Sequence, residues 1–407
     1  MLHGFHDPMS IRSFASGKSD DHKMLSAHRT LLRVGISLAG SFAWIFLLSY
    51  YTLLSGSIAH SIIAVMILYS LAQFVSLLMT PFSASHLRRG VKQAMIFGAL
   101  CAGAAFIVLG STFVGMFHSP IGWGTVFFAI LLGLYRAFYW IPYRLQRGQD
   151  MRDPSMWFEL VIASMPLFAG ITATTVYLGP ERVLWGAGAF AIVSVLPALF
   201  IRDHSERFSW HYFETFQRFF SVAHRQASLR AIAEGIQSAA LYLVWPIALF
   251  LILGRSYLIV GLVMSISLLI VLVLRDWYRK AKRSLGIHSP YTEATIAASA
   301  WAFRLTVAGP VGAVIADSYA YVSAPQGTAD SEILSFDHAA DRGSYIDEYT
   351  TLNEIGLAIG RIAMCVVGGI FAFFMQPWIA LTFLILIAAF AAGYSAVSAR
   401  HESARAF

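Results

Sequence analysis

The amino-acid sequence predicts an all-α membrane protein with about twelve transmembrane helices. Of its 407 residues, 57% are hydrophobic and only 13% are charged, whereas soluble domains carry about 25% charged residues. The mean hydropathy is +0.65. Apolar runs long enough to cross about 30 Å of hydrocarbon as helices recur along the chain. We place them at 33–54, 58–80, 93–115, 121–143, 155–178, 183–201, 230–253, 256–275, 291–308, 309–325, 350–375 and 377–398.

The ninth and tenth spans are the most polar, and Gly309 and Pro310 interrupt them. We interpret 291–325 as a helical hairpin that turns at these two residues. Folding there brings Arg304 and Asp317 to similar depths, where an ion pair would help the hairpin to insert. Alternatively, Asp317 could point into a central cavity as a proton or cation site.

Basic residues follow the positive-inside rule. Of the 29 Lys and Arg residues, Arg136, Arg304 and Arg361 fall inside spans, and Arg182 and Arg255 fall in one set of connecting turns. All others lie in the alternate connections or at the chain ends. This pattern predicts an integral protein of the cytoplasmic (inner or plasma) membrane with both termini in the cytoplasm. It also explains the net charge of +7 without nucleic acid, so the lipid bilayer is the expected macromolecular environment.

The chain divides into two similar halves. Basic loops follow the second and eighth spans, and an acidic residue precedes a Glu by six positions at the entry of the fifth and eleventh. These matches favour a duplicated six-helix unit. The predicted parts are a disordered cytoplasmic tail (1–32), a first bundle (33–201), an amphipathic cytoplasmic linker (202–229), a second bundle (230–398) with an acidic loop (326–349), and a cytoplasmic tail (399–407).

This organisation resembles the major facilitator superfamily of secondary transporters over about residues 33–398. Arg88, Arg89, Gly90 and Lys92 match part of that family's loop signature but lack its Asp. The second copy retains Asp276, Arg279, Lys280 and Arg283. The resemblance implies two bundles that rock about a midplane site, with the first, fourth, seventh and tenth spans lining a cavity.

Further gating residues are expected near the cytoplasmic helix ends. Glu159 and Glu354 lie there, although the helix macrodipole alone could account for both. Arg361 follows Glu354 by seven residues on the same face and could join that network. The complete set of expected cytoplasmic gating residues is Arg88, Arg89, Lys92, Asp276, Arg279, Glu159, Glu354 and Arg361.

The four spans expected to line the cavity carry polar and aromatic faces. An ionisable residue in a span costs about 2.5–3.5 kcal/mol, so it usually faces protein or water. Arg136 shares a helical stripe with aromatic rings and lies more than two turns from the end of its span, which favours solute binding over snorkelling to the interface. The substrate-binding candidates are Trp44, Tyr135, Arg136, Tyr139, Trp140, Tyr242, Trp245 and Tyr321, and the proton-coupling candidates are Asp317 and Glu234.

We therefore expect a monomeric secondary transporter of a small organic solute, anionic or zwitterionic, coupled to protons or another ion. The alternative is a transporter-like protein without transport activity that acts as a receptor or assembly partner. The Gly-Lys-Ser at 17–19 lacks the upstream Gly of a nucleotide-binding loop. All 13 His lie in tails, loops or span ends, so the sequence predicts no enzyme, no cofactor and no metal site.

Overall fold

The first half of the chain forms helices α1 to α7 in the computed structural model, which describes residues 8–116, 122–147, 156–175, 177–203, 208–284, 289–323 and 346–403. Each of the first five apolar spans is one helix, whereas a turn at Ser194 divides the sixth into α6 and α7. The helices are α1 (Pro8–Ser55), α2 (Ile58–His86), α3 (Val91–Phe113), α4 (Trp123–Arg147), α5 (Met156–Thr174), α6 (Gly179–Val193) and α7 (Val195–Leu199).

The second half repeats this arrangement after a connecting segment, residues 200–224, which lies between α7 and α9. The seventh span contains α9, a π-helical turn at Ala240–Val244, and α10 in one continuous rod. Pro246 lies two residues after the π turn. It cannot donate a backbone hydrogen bond, and proline is a common cause of such irregularity. The helices are α8 (Tyr212–Phe219), α9 (Arg225–Ala239), α10 (Trp245–Ile252), α11 (Tyr257–Ser284), α12 (Pro290–Phe303), α13 (Pro310–Ser323), α14 (Ile346–Phe374) and α15 (Pro377–Ser403).

Ten spans within the described ranges are long and apolar enough to cross a membrane. The ninth and tenth predicted spans are the shorter helices α12 and α13, of 14 residues each. They form the predicted hairpin, but its turn lies at 304–309 instead of 309–310, because Arg304–Thr306 tighten into a 3₁₀ turn and Val307 is extended. Pro310 begins α13, where its missing N–H costs nothing.

The first helix starts much earlier than predicted. Residues 8–32 were expected to be disordered, yet α1 is helical from Pro8, which corrects that expectation. Leu25 and Leu32 are almost completely buried and pack against the tyrosines of α4. His28 contacts the Ser194 carbonyl at 2.7 Å. These contacts stabilise a segment whose own composition is too polar to indicate a span.

The two bundles are built alike and meet along two equivalent seams. In the first bundle α1 packs on α5, α2 on α4, and α3 on α6; the matching contacts in the second are α9 on α14, α11 on α13, and α12 on α15. Between the bundles, α2 packs on α14 and α5 packs on α11. Exchanging the halves converts one seam into the other, as a duplicated unit requires.

The connecting segment contains the predicted amphipathic helix, α8. Phe219 is buried against α14, whereas Phe213 is exposed. The backbone N–H of His211 and the guanidinium of Arg218 both donate to Glu214, and these contacts lower the pKa of that carboxyl group. Most of the predicted acidic loop at 326–349 lies outside the described residues.

Glycines allow the backbones of α5 and α11 to touch. A Cβ on Gly261 would meet the Pro166 carbonyl oxygen, and it would lie 3.2 Å from the Cα of Gly170. Such close approach is how helices associate in lipid, where the hydrophobic effect does not drive them together.

We predict that Gly261→Ala destabilises the protein by about 1–3 kcal/mol, because the added methyl group forces the seam apart. Gly369→Ala is the matched control, since a Cβ at Gly369 meets nothing within 4 Å. SDS-induced unfolding in mixed micelles measures both. Equal stability of the two variants would contradict the close packing of α5 on α11.

Candidate functional site

A cavity of about 210 Å³ lies between the two bundles. Helices α1 and α4 form its wall on one side, and the π turn, α10 and α13 form it on the other. These segments belong to the first, fourth, seventh and tenth spans. Residues of α2, α3, α5, α11 and α14 complete the wall.

The eight predicted substrate-binding side chains all line this cavity. Seven of them are aromatic, and one is a guanidinium. Trp44 contacts Tyr69 edge-on, with ring centroids 5.0 Å apart, and Tyr135 lies 5.4 Å from Tyr139. The eight are Trp44, Tyr135, Arg136, Tyr139, Trp140, Tyr242, Trp245 and Tyr321. Their role in binding remains a prediction, whereas their position around one cavity is a property of the fold.

Arg136 is held at the cavity wall by the close packing of α4. One turn earlier, Gly133 lets α4 approach the Ala72 carbonyl of α2, where a Cβ would not fit. On the other side of the helix, Gly98 of α3 packs against Tyr139. Among the described residues, Arg136 makes no ion pair, and its buried Nε–H has no hydrogen-bond acceptor.

Arg304 and Asp317 form the ion pair that the hairpin predicted. The guanidinium and carboxylate lie 3.2 Å apart, and both side chains are almost completely buried. The Arg304 guanidinium also lies over the rings of Trp301 at 4.2 Å and Trp245 at 5.3 Å. Asp317 also lines the cavity, so the ion pair and the cavity position occur together. The role of Asp317 as a proton or cation site stays a prediction.

Different contacts bridge the bundles at the two ends of the cavity. At the end where α1 begins, which we call the basic end, Arg144 of α4 pairs with Glu354 of α14 at 3.4 Å. Toward the opposite end, Tyr257 of α11 contacts Phe46 of α1 edge-on at 5.2 Å and stacks on Phe250 at 5.1 Å. One end is therefore bridged by charge and the other by aromatic rings.

Comparison with known proteins identifies the fold. No family model matches the sequence, and no curated protein matches it. A bacterial homologue of the iron transporter ferroportin, crystallised in the outward-facing state with soaked iron, is 16% identical with a TM-score of 0.58, covering 94% of this chain and 99% of its own. A mutant of the peptide transporter POT is 12% identical with a TM-score of 0.55, covering 94% and 95%. The chain has the major facilitator fold.

Glu234, a predicted proton-coupling residue, does not line the cavity. It pairs with Arg230 one turn earlier, at 2.9 Å, and is 8% exposed. In a regular helix, Glu234, Tyr242 and Trp245 of the seventh span would lie on one face. The π turn at Ala240–Val244 adds a residue to that turn, so Tyr242 and Trp245 reach the cavity and Glu234 does not.

Two of the predicted loop residues, Arg88 and Lys92, contact the connecting segment. Arg88 donates to the Phe208 carbonyl at 2.8 Å, and the backbone N–H of Lys92 donates to Asp203 at 2.9 Å. Arg89 is exposed. The Asp203 carboxylate thus accepts a hydrogen bond from the first turn of α3. Asp276 and Arg279 lie on α11, and their side chains fall outside the described residues.

Two further gating candidates, Glu159 and Arg361, make different kinds of contact. Glu159 forms a two-bond pair with Arg33, at 2.6 and 3.0 Å, so it joins α1 to α5 within one bundle. Arg361 lines the cavity itself. It donates to Ser238 at 2.9 Å and, across the bundles, to the Gln73 side-chain oxygen at 3.3 Å.

Several cavity residues were missed in the sequence. Arg29 and Arg33 continue the α1 stripe that includes Ser37 and Trp44, but the predicted span began only at 33. Arg29, Arg33 and Ser37 recur at every fourth residue, and this spacing places them on one helix face. Other missed members of the wall are Tyr69, Gln73 and Arg144.

Loss of the Arg33–Glu159 pair should destabilise the protein. Both side chains are largely buried, at 9% and 12% exposure, and removing one partner of such a pair leaves a poorly compensated charge. We expect Glu159→Gln to lower the free energy of unfolding by about 3 kcal/mol.

Glu214→Gln is the matched control, because its pair with Arg218 is half-exposed and should contribute little. SDS-induced unfolding of purified protein measures both variants. An unchanged midpoint for Glu159→Gln would mean that water already compensates this pair.

Proposed function

We propose that the protein is a secondary active transporter that moves a small organic anion across the membrane by alternating access. The observation that carries this proposal is Arg136, whose buried Nε–H lacks an acceptor among the described residues while the side chain lines the central cavity. Buried donors are nearly always partnered. An anionic solute would supply the acceptor through a charge-assisted hydrogen bond.

The charge of the wall supports an anion. Guanidiniums outnumber carboxylates there, and positive surplus in a low-dielectric site attracts anions and repels metal cations. The iron named for one structural neighbour therefore suits this wall poorly. The guanidiniums belong to Arg29, Arg33, Arg136, Arg144 and Arg361, and the carboxylates belong to Asp317 and Glu354.

The size of the cavity supports a small solute. Its volume of about 210 Å³ is below the roughly 300–1,000 Å³ of sites for drug-sized ligands. Aromatic rings dominate the wall, and such rings bind apolar or planar groups by stacking. A small organic anion with an apolar or aromatic body matches both properties.

Alternating access is supported by the seams and by the bridged ends. The bundles pack through α2 with α14 and α5 with α11, and different contacts bridge the two ends of the cavity. Opening of the basic end would break the Arg144–Glu354 pair while the aromatic contacts of Tyr257 persist. Opening of the opposite end would break the aromatic contacts while the ion pair persists. We place the basic end in the cytoplasm of a cytoplasmic-membrane protein. One chain supplies the whole cavity wall, so a monomer suffices.

Proton coupling is assigned to Asp317. Its side chain is buried in the protein, lines the cavity and pairs with the guanidinium of Arg304. A proton on Asp317 would neutralise the carboxylate and release Arg304 electrostatically. The pair could therefore alternate between a proton-bound and an ion-paired form during the cycle.

Arg136→Gln should abolish solute uptake while the protein still folds. We expect at least a tenfold loss of initial uptake rate for small radiolabelled carboxylates in proteoliposomes with an imposed pH gradient, because the charged donor is removed. Arg182→Gln is the control, since Arg182 lies over Trp185 and outside the cavity wall.

Two results would contradict this proposal. Full activity of Arg136→Gln would exclude Arg136 as the binding cation. Failure of the unaltered protein to move any member of a broad carboxylate panel, under any ion gradient, would favour the alternative of a receptor or assembly partner.

Asp317→Asn should uncouple solute movement from protons. We expect loss of solute-driven acidification, followed with a pH-sensitive dye inside proteoliposomes, while exchange of labelled for unlabelled solute persists, because exchange requires no net proton transfer. The double variant Asp317→Asn with Arg304→Gln controls for the isolated guanidinium left in the membrane. Unchanged acidification in both variants would assign coupling elsewhere.

A further inference from the structure

Some of the buried hydrogen-bond donors on the cavity wall have no acceptor among the described residues. Among these are the Tyr69 hydroxyl, the Gln73 side-chain nitrogen and the Arg136 Nε–H. Tyr69 is 2% exposed and Gln73 is 0% exposed. An unpartnered buried polar group costs about 1–3 kcal/mol, so three of them around one cavity require an explanation.

The three donors come from two adjacent helices. Tyr69 and Gln73 are four residues apart on α2 and therefore share a face, and Arg136 lies on α4, which packs against α2. One turn before Arg136, Gly133 approaches the carbonyl of Ala72, which precedes Gln73 in the chain. The donors are thus neighbours at one part of the wall.

Arg361 fixes the orientation of the Gln73 amide. Its guanidinium can only donate, and it donates to the Gln73 side-chain oxygen at 3.3 Å. The amide nitrogen, also a donor, must then point elsewhere, and it finds no acceptor among the described residues. Arg361 is therefore a positioning residue for this amide.

We propose that Tyr69, Gln73 and Arg136 form a carboxylate-binding subsite, and that the solute is a small aromatic monocarboxylate whose ring lies among Trp44, Phe106 and Phe128. This inference rests on the proposed transport function and specifies its substrate class. A carboxylate offers two oxygens with about four acceptor positions. Two neutral donors and one guanidinium satisfy a single negative charge.

The aromatic part of the proposal follows from the neighbours of Tyr69. Trp44 contacts Tyr69 edge-on at 5.0 Å and lies 5.4 Å from Phe128, which lies 6.4 Å from Phe106. The three rings are nearly completely buried and line the cavity. Beside the donors the wall is therefore aromatic, and an aryl ring attached to the carboxylate would pack there.

Other unpartnered hydroxyls provide a control. Ser267 is fully buried, and its Oγ also lacks a partner among the described residues, but it does not line the cavity. Removing an unpartnered hydroxyl should leave the folded protein equally or more stable. Tyr69→Phe and Ser267→Ala should therefore behave alike in stability and differently in ligand binding.

The test is equilibrium binding of benzoate to the purified full-length chain in micelles, measured by calorimetry. We expect benzoate to bind more tightly than benzyl alcohol, cyclohexanecarboxylate and inorganic phosphate. Tyr69→Phe and Arg136→Lys should each weaken benzoate binding roughly 10–100-fold, since a hydrogen bond to a charged group is worth about 1.5–3 kcal/mol. Arg136→Lys retains the charge and removes the Nε–H, while Ser267→Ala should leave the benzoate Kd unchanged.

The outcomes separate this inference from the proposed function. Absence of benzoate binding, equal binding of phosphate, or an unchanged Kd in Tyr69→Phe would overturn the subsite, even if another solute is transported. Benzoate binding that depends on Tyr69 and Arg136 without any flux in proteoliposomes would support the subsite and overturn the transport proposal.

Discussion

Charge burial in hydrocarbon is the constraint on which this structure depends. Each ionised side chain in a span costs about 2.5–3.5 kcal/mol unless protein or water solvates it. Arg33 with Glu159 and Arg304 with Asp317 meet this constraint by pairing between helices. Arg136 meets it differently, because it lies on the wall of the cavity between the bundles. The two bundles therefore surround charged side chains whose exposure to lipid would be costly.

Close packing of helix backbones joins the two bundles around the cavity. Within lipid, helices associate through small residues and van der Waals contact, and the seam of α5 on α11 relies on Gly170 and Gly261. One ion pair between the bundles, Arg144 with Glu354, lies near the basic end of the cavity. The rocking that we propose would separate the two halves at one end of the cavity at a time.

The sequence predicted features that charge and hydropathy determine, and it missed those that depend on helix geometry. The hairpin ion pair and the cavity position of Arg136 followed from the cost of buried ions. Glu234 was misplaced because a π turn has no clear sequence signal. Tyr69 and Gln73 were missed because neutral polar residues are common in apolar helices. Whether their donors have acceptors depends on three-dimensional neighbours.

The two halves share a fold yet carry different chemistry. The first bundle contributes the donors of Tyr69, Gln73 and Arg136, whereas the second contributes the buried pair that includes Asp317. Arg361 of the second bundle holds the Gln73 amide of the first. Movement of one bundle relative to the other would disturb that bond, and with it the orientation of the donor that we propose for the solute. Solute affinity would then depend on the relative position of the halves, which is the differential interaction that a conformational cycle requires.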